Sequence, residues 1–149
     1  MFRTLAYCTT ALHRDFTAYT TRRLQELGLH FGSLFPLIYV GKHPSCTQAQ
    51  LTADLRLDWG HSQRTVTRLV EEGFLTRTKS GRAYRLDLSE KGQEAFQVSH
   101  QVFFDWDREA LHSLTEDERE QLFHLLAKLQ KEERPVCTNS SAVPSTTAD

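Results

Sequence analysis

Residues 58–74 read DWGHSQRTVTRLVEEGF. Two patterns overlap in this stretch. Val66, Leu69 and Val70 recur at the three- and four-residue steps of one helix face. Gln63, Arg64 and Thr67, which can donate or accept hydrogen bonds, fall on the other side. Asp58 stands where an N-cap belongs, and Gly73 stands where the helix should stop. A short helix that buries one face and keeps the other polar presents side chains to a partner.

Immediately upstream, Thr47 opens TQAQL, a Thr-x-x-Gln capping box that predicts a third helix ending near Arg56, with Leu51 and Leu55 on one face and Leu57 as a plug before Asp58. Before it, FGSLFPLIYVG predicts a short apolar helix closed by Gly41 and Pro44. Leu5, Leu12, Phe16, Tyr19, Leu24 and Leu27 give a long first helix a one-sided stripe, interrupted at Gly28. Downstream, Leu75 and then Tyr84, Leu86 and Leu88 fit two short strands, with Lys79-Ser80-Gly81 as the turn between them. Ser89 can start a fifth helix carrying Ala95, Phe96, Val102, Phe103, Trp106 and Ala110. TEDE at Thr115 is a second capping box, ahead of a sixth helix striped by Leu122, Leu125, Leu126 and Leu129. From Arg134 onward, Ser, Thr and Pro replace bulky groups, and residues 134–149 are predicted to be a disordered tail.

The predicted order is helix, helix, helix–turn–helix, hairpin, helix, helix. A reading helix packed on a short predecessor suits entry into a DNA major groove, and a hairpin directly after it can serve as a wing with Arg82 at or near the tip. Charge agrees with this. The chain carries a formal net charge of −1, yet residues 56–85 hold seven Lys/Arg against three Asp/Glu, and residues 86–149 hold six against thirteen. A basic segment within a neutral chain is a candidate phosphate footprint, although a solvated basic face gives the same count.

Other classes find little support. No apolar run approaches the ~18–20 residues of a membrane span. MFRTLAYCTTALHRDF is broken too often by polar residues for a signal peptide. Three scattered cysteines, Cys8, Cys46 and Cys137, do not form a disulfide framework and suit a reducing cytosol, so a cytoplasmic protein is expected. Seven histidines show no His-x-x-x-His spacing, no Cys-x-x-Cys occurs, and no Gly-rich phosphate loop or nucleophile set can be assembled. Neither an enzyme, a metal nor a cofactor is expected.

The run LTADLRLDWGHSQRTVTRLVEEGFLTR resembles the helix–turn–helix of the MarR (multiple antibiotic resistance regulator) family. GLHFGSLFPLIYVGKHPSCTQAQL is similar to that family's second helix and its approach to the third, and RAYRLDLSEKG to the end of the wing and the start of the fifth helix. The resemblance spans about residues 24–92. It implies a mainly α fold of six helices with a small β-hairpin wing, in a single domain over 1–133. Residues 30–90 would form the winged helix–turn–helix, and residues 1–28 and 89–131 the dimerisation helices. Phe103, Trp106, Leu122, Leu126 and Leu129 are apolar enough for such an interface. The implied function is a transcriptional regulator, most often a repressor. It would bind a near-palindromic operator in double-stranded DNA as a homodimer and be released by a small-molecule effector or an oxidant. A winged helix used for protein contacts, without an operator of its own, is the alternative.

The sequence departs from the family at two places. The wing usually has an acidic residue two positions before its arginine, and here Ser80-Gly81-Arg82 lacks it. The reading helix usually starts with small hydroxyl residues, and here it starts Trp59-Gly60-His61. The candidate DNA contacts are therefore Trp59, His61, Gln63, Arg64, Thr67, Arg77, Lys79 and Arg82. Gln pairs well with adenine and Arg with guanine in the major groove. Arg82 would enter a minor groove or clamp phosphate. Trp59 can wedge against the DNA backbone or pack on the third helix, and His61 can donate to DNA or fill the first turn. Ser62 is expected to pack or cap, and Arg68 to pair with Glu72. Cys8 lies where some family members sense oxidants, and is otherwise a free structural thiol. Cys46 is expected to pack under the third helix.

Overall fold

The computed structural model describes residues 3–130; the expected tail at 134–149, the domain's last residues 131–133 and Cys137 lie outside them. Helix α1 spans Leu5–Gln25 and is capped by Thr4, whose Oγ1 accepts from the Tyr7 N–H at 3.2 Å. Gly28, at φ +73°, turns the chain so that the Leu29 N–H returns to the Leu24 carbonyl. A single 3₁₀ turn, Phe31–Ser33, leads into α2, Leu34–Lys42. Pro36 is tolerated there because the first turn of a helix has no internal acceptor for its missing N–H. Helix α2 buries Leu34, Pro36, Leu37, Tyr39 and Val40, and it packs on α5, α3 and the hairpin.

The helix–turn–helix consists of α3, Gln48–Asp54, and α4, Trp59–Glu71. Both halves of the predicted capping box form at Thr47 and Gln50. Asp58 caps α4 by accepting from the His61 N–H at 2.9 Å. Leu51, Val66 and Leu69 are fully buried between the two helices and the rest of the core. Thr52 and Ser62 also lie there, their Oγ atoms 2.6 Å apart. The single Thr52 hydroxyl proton goes to the Gln48 carbonyl at 2.7 Å, so Ser62 donates to Thr52. Ser62 is thus a packing residue, as its sequence position suggests.

Strands β1, Leu75–Ser80, and β2, Ala83–Leu88, pair antiparallel from Leu75–Leu88 to Ser80–Ala83. The turn is therefore Gly81-Arg82, one residue later than the sequence suggests, and Lys79 and Ser80 belong to the strand. The left-handed residue decides this. Gly81 has φ +63° and Arg82 does not, the order of a type II′ turn, which places glycine first in the two-residue loop. The wing gains a third, single-residue strand where the Leu86 N–H donates to the Cys46 carbonyl at 2.8 Å. Beyond it, Asp87 accepts from the Ser45 N–H at 2.7 Å, and Arg85 Nη1 donates to the Ser45 carbonyl at 3.3 Å.

Helix α5, Glu90–Ala110, starts where the Ser89 Oγ accepts from the Gly92 N–H at 2.9 Å. Gly92 is needed for close approach, since a methyl there would overlap the Phe74 carbonyl oxygen. Lys91 reaches back over the Phe74 ring and donates to the Glu72 carbonyl at 2.9 Å, satisfying an open acceptor at the end of α4. Helix α1 lies on α5, with Phe16 against Phe103 and Trp106, and Trp106 Nε1 donates to Asp15 at 2.9 Å. These elements form one compact unit up to Ala110; a second begins at Leu111 and holds α6, Glu116–Gln130. Its capping box forms as predicted, with the Thr115 N–H donating to Glu118 at 2.9 Å. No helix of the described residues is long and apolar enough to cross a membrane.

Thr52→Val strands the buried Ser62 hydroxyl and should cost ~1–3 kcal/mol, while Ser62→Ala should cost ~1 kcal/mol. Replacing both should destabilise less than the two changes summed. Urea unfolding of the four proteins measures this, and simple additivity would mean that the hydroxyls are not coupled.

Candidate nucleic-acid interface

The interface is built on α4. Its buried side is Ser62, Thr65, Val66 and Leu69. Opposite them, Gln63 and Arg64 are exposed and Thr67 is half-buried, a row at helical spacing on the open side of the helix. Gly60 begins this row and leaves room for Arg64, whose Nη1 lies 3.4 Å from where a Gly60 Cβ would stand. The three reading candidates thus share one open face.

His61 gives its backbone N–H to the Asp58 cap and leaves its ring exposed. Trp59 lines one cleft with Thr47, Gln48 and Ala49 at the head of α3, and 53% of its surface stays open.

Arg68 departs from expectation. Among the described residues no ion pair joins it to Glu72. Arg68 is half-buried, its Nε is shut from solvent without a hydrogen-bond partner, and its carbonyl accepts from the Glu72 N–H at 2.8 Å. Glu72 keeps helical backbone angles and the i, i+4 backbone bond, but its side chain is exposed while that of Arg68 is half-buried.

On the hairpin, Arg82 occupies the tip and is exposed. No carboxylate pairs with it among the described residues, as the missing acidic position implies. Arg77 and Lys79 are exposed on β1, opposite Leu86 and Tyr84. Cross-strand partners share a face, so these four side chains lie on the same side as buried Leu75. Tyr84 is 53% exposed. By sequence alone Tyr84 is a strand residue and nothing more, and Arg85 has no role. Alternation along YRLDL puts Tyr84 on the face of Leu86, but its pairing with Lys79 and Arg85's bond to the Ser45 carbonyl depend on register and tertiary contact.

Cys8 is exposed on α1, and Cys46 is buried at the wing junction. Burial pushes the Cys46 thiol pKa up, which keeps it protonated and unreactive. Tyr39 donates to Asp54 at 2.6 Å, tying α2 to the end of α3. That hydrogen bond to a carboxylate, with burial added, pushes the phenol up to about 12. Among the described residues no three His, Cys, Asp or Glu side chains converge as metal ligands would.

No family model matches the chain. It is 41% identical over 134 residues to the HTH-type transcriptional regulator BilQ of Clostridium symbiosum, a match covering 88% of this chain and 93% of that protein. Its fold is similar to that of the reduced form of MarR from E. coli, with a TM-score of 0.77, 24% identity, and coverage of 87% and 98% of the two chains. A putative MarR family regulator from Listeria monocytogenes, solved in complex with a 26mer DNA, matches with a TM-score of 0.73 at 20% identity, covering 87% and 88%. The identity with BilQ over most of both chains, on this helix–turn–helix and wing, places the protein in the MarR family of winged-helix transcriptional regulators.

Proposed function

We propose that the protein is a repressor that binds a near-palindromic operator as a homodimer, with α4 of each protomer in a major groove and each wing over the flanking minor groove. The observation that carries this reading is the open row of Gln63, Arg64 and Thr67 on a helix whose other face is fully buried, beside a hairpin tipped by Arg82. The Listeria relative solved with DNA supports the choice of ligand. Within one domain over 1–133, helices at 1–28 and 89–131 form the dimer. Exposed Leu5 and Leu12 on α1, and Phe123, Leu125 and Leu129 on α6, supply apolar surface that a second copy can cover. Release by a small molecule is supported by a cleft of about 320 Å³ lined by Phe35, Ile38, Lys42, His100, Phe103 and Phe104. Release by an oxidant would act through the exposed thiol of Cys8.

Gel shifts with the region upstream of the protein's own gene, at several salt concentrations, test the reading. Absence of specific binding would favour a winged helix used only for protein contacts. Sedimentation at micromolar concentration should show a dimer, and a monomer would remove the two-fold docking on DNA. Arg64→Ala should lose ~1–3 kcal/mol of discrimination at one base pair per half-site, and Gln63→Ala should relax a different position. Wild-type behaviour of both variants on operator and random DNA would mean that α4 is not the reader. Arg82→Ala should weaken binding across most sequences and flatten log K against log salt by about one unit for each phosphate left without its arginine. An unchanged slope and affinity would mean that the wing tip does not touch DNA.

A further inference from the structure

The last carbonyls of a helix point along its axis, lack donors within the helix and carry the negative end of its dipole. At the end of α4, Gly73 takes φ +82° and reverses the chain, and the N–H groups of Gly73 and Phe74 return to the Val70 and Leu69 carbonyls. The Glu72 and Gly73 carbonyls lie beyond that turn, and both are met from the start of α5, with the whole hairpin between them in the chain. The Lys91 ammonium donates to the Glu72 carbonyl at 2.9 Å and sits 4.2 Å from the centroid of the buried Phe74 ring. Ser89 Oγ donates to the Gly73 carbonyl. About one turn further along α5, a methyl on Gly41 would overlap the Phe96 ring, so α2 packs tightly there. The first two turns of α5 thus belong with the helix–turn–helix and wing, whereas Phe103 and Trp106 later in the same helix pack on Phe16 of α1.

We propose that Lys91 is a positioning residue for DNA recognition: by closing the C-terminal end of α4 onto α5, it fixes the angle between these two helices and so sets the half-site spacing that the homodimer accepts. The inference rests on the homodimeric DNA-binding reading above, in which α5 contributes to the dimer and α4 enters the groove. Without the ammonium, the turn at Gly73, Phe74 and Ser89 still joins the two helices, but as a pivot. One cation on a carbonyl and a ring face holds that pivot at one angle, because the dipole end and the ring both attract it. Two half-sites are engaged together only when the separation of the two α4 helices matches that of the sites. One base pair changes that separation by roughly 3.4 Å and the rotation by roughly 34°. Base contacts made by α4 within a single half-site do not depend on the angle.

The test compares wild type, Lys91→Met and Lys91→Arg on four duplexes. These are the bound segment upstream of the protein's own gene, the same segment with one base pair inserted at its centre, the same with one removed, and a duplex holding a single half-site. Wild type should bind the natural spacing at least about tenfold more tightly than either altered spacing. Lys91→Met keeps an aliphatic stem over Phe74 and loses the ammonium. It should narrow that preference to about threefold or less, while binding the single half-site as wild type does. Lys91→Arg keeps charge and donor and should restore the preference. Lys91 is exposed, and circular dichroism checks that the variants fold; Lys91→Gln, read on the same duplexes, replaces Lys91→Met if that variant does not. An unchanged spacing preference in Lys91→Met would overturn the inference. So would an equal loss on all four duplexes with a flatter salt dependence, since Lys91 would then be a phosphate contact. Failure of wild type to bind the upstream segment would remove the DNA-binding reading itself. Wild type that held one half-site as tightly as two would remove the homodimeric docking, and the inference with it.

Discussion

The Leu86 N–H donates to the Cys46 carbonyl, and through that hydrogen bond the wing and the helix–turn–helix share a frame. A two-stranded hairpin alone is marginal in water. Here its base is fixed three ways: by the covalent link from α4 through Gly73 and Phe74, by the Cys46 bridge just ahead of α3, and by Asp87 and Arg85 closing on Ser45. Ser45 takes a left-handed φ of +60° to complete that contact, a conformation its neighbours must hold in place. The buried Leu86 side chain and the hydrogen bond act together, so that a rotation of the hairpin would expose one and break the other.

A similar constraint governs α4. It packs on α3 through Leu51, Val66 and Leu69, and between the helices Thr52 and Ser62 satisfy each other. A pair of hydroxyls at fixed separation restricts sliding where aliphatic contacts alone would tolerate it, because a shift leaves a buried donor unpaired. The polar row of Gln63, Arg64 and Thr67 inherits its orientation from this contact. Tyr39 extends the frame by tying α2 to Asp54. The apolar cleft lined by Phe35, Ile38 and Lys42 lies on this same helix α2.

Much of this was legible in the chain because it is local. Capping boxes at Thr47 and Thr115, the Asp58 cap, the stop near Gly73 and the buried face of α4 each depend on residues within a turn or two of one another. Sequence spacing therefore determined the helices, their order, the polar face of α4 and the resemblance to the MarR family. Tertiary structure decided the rest. The wing turn fell at Gly81-Arg82, because six cross-strand pairs from Leu75–Leu88 to Ser80–Ala83 set the register. Arg68 did not pair with Glu72: it is half-buried, while Glu72 stays exposed. Trp59 and Tyr84 came to face one cleft through links between segments some forty residues apart, Ser45 with Asp87 and Cys46 with Leu86. Periodicity reports which face of its own element a side chain occupies; which distant element that face meets is fixed only when the chain closes on itself.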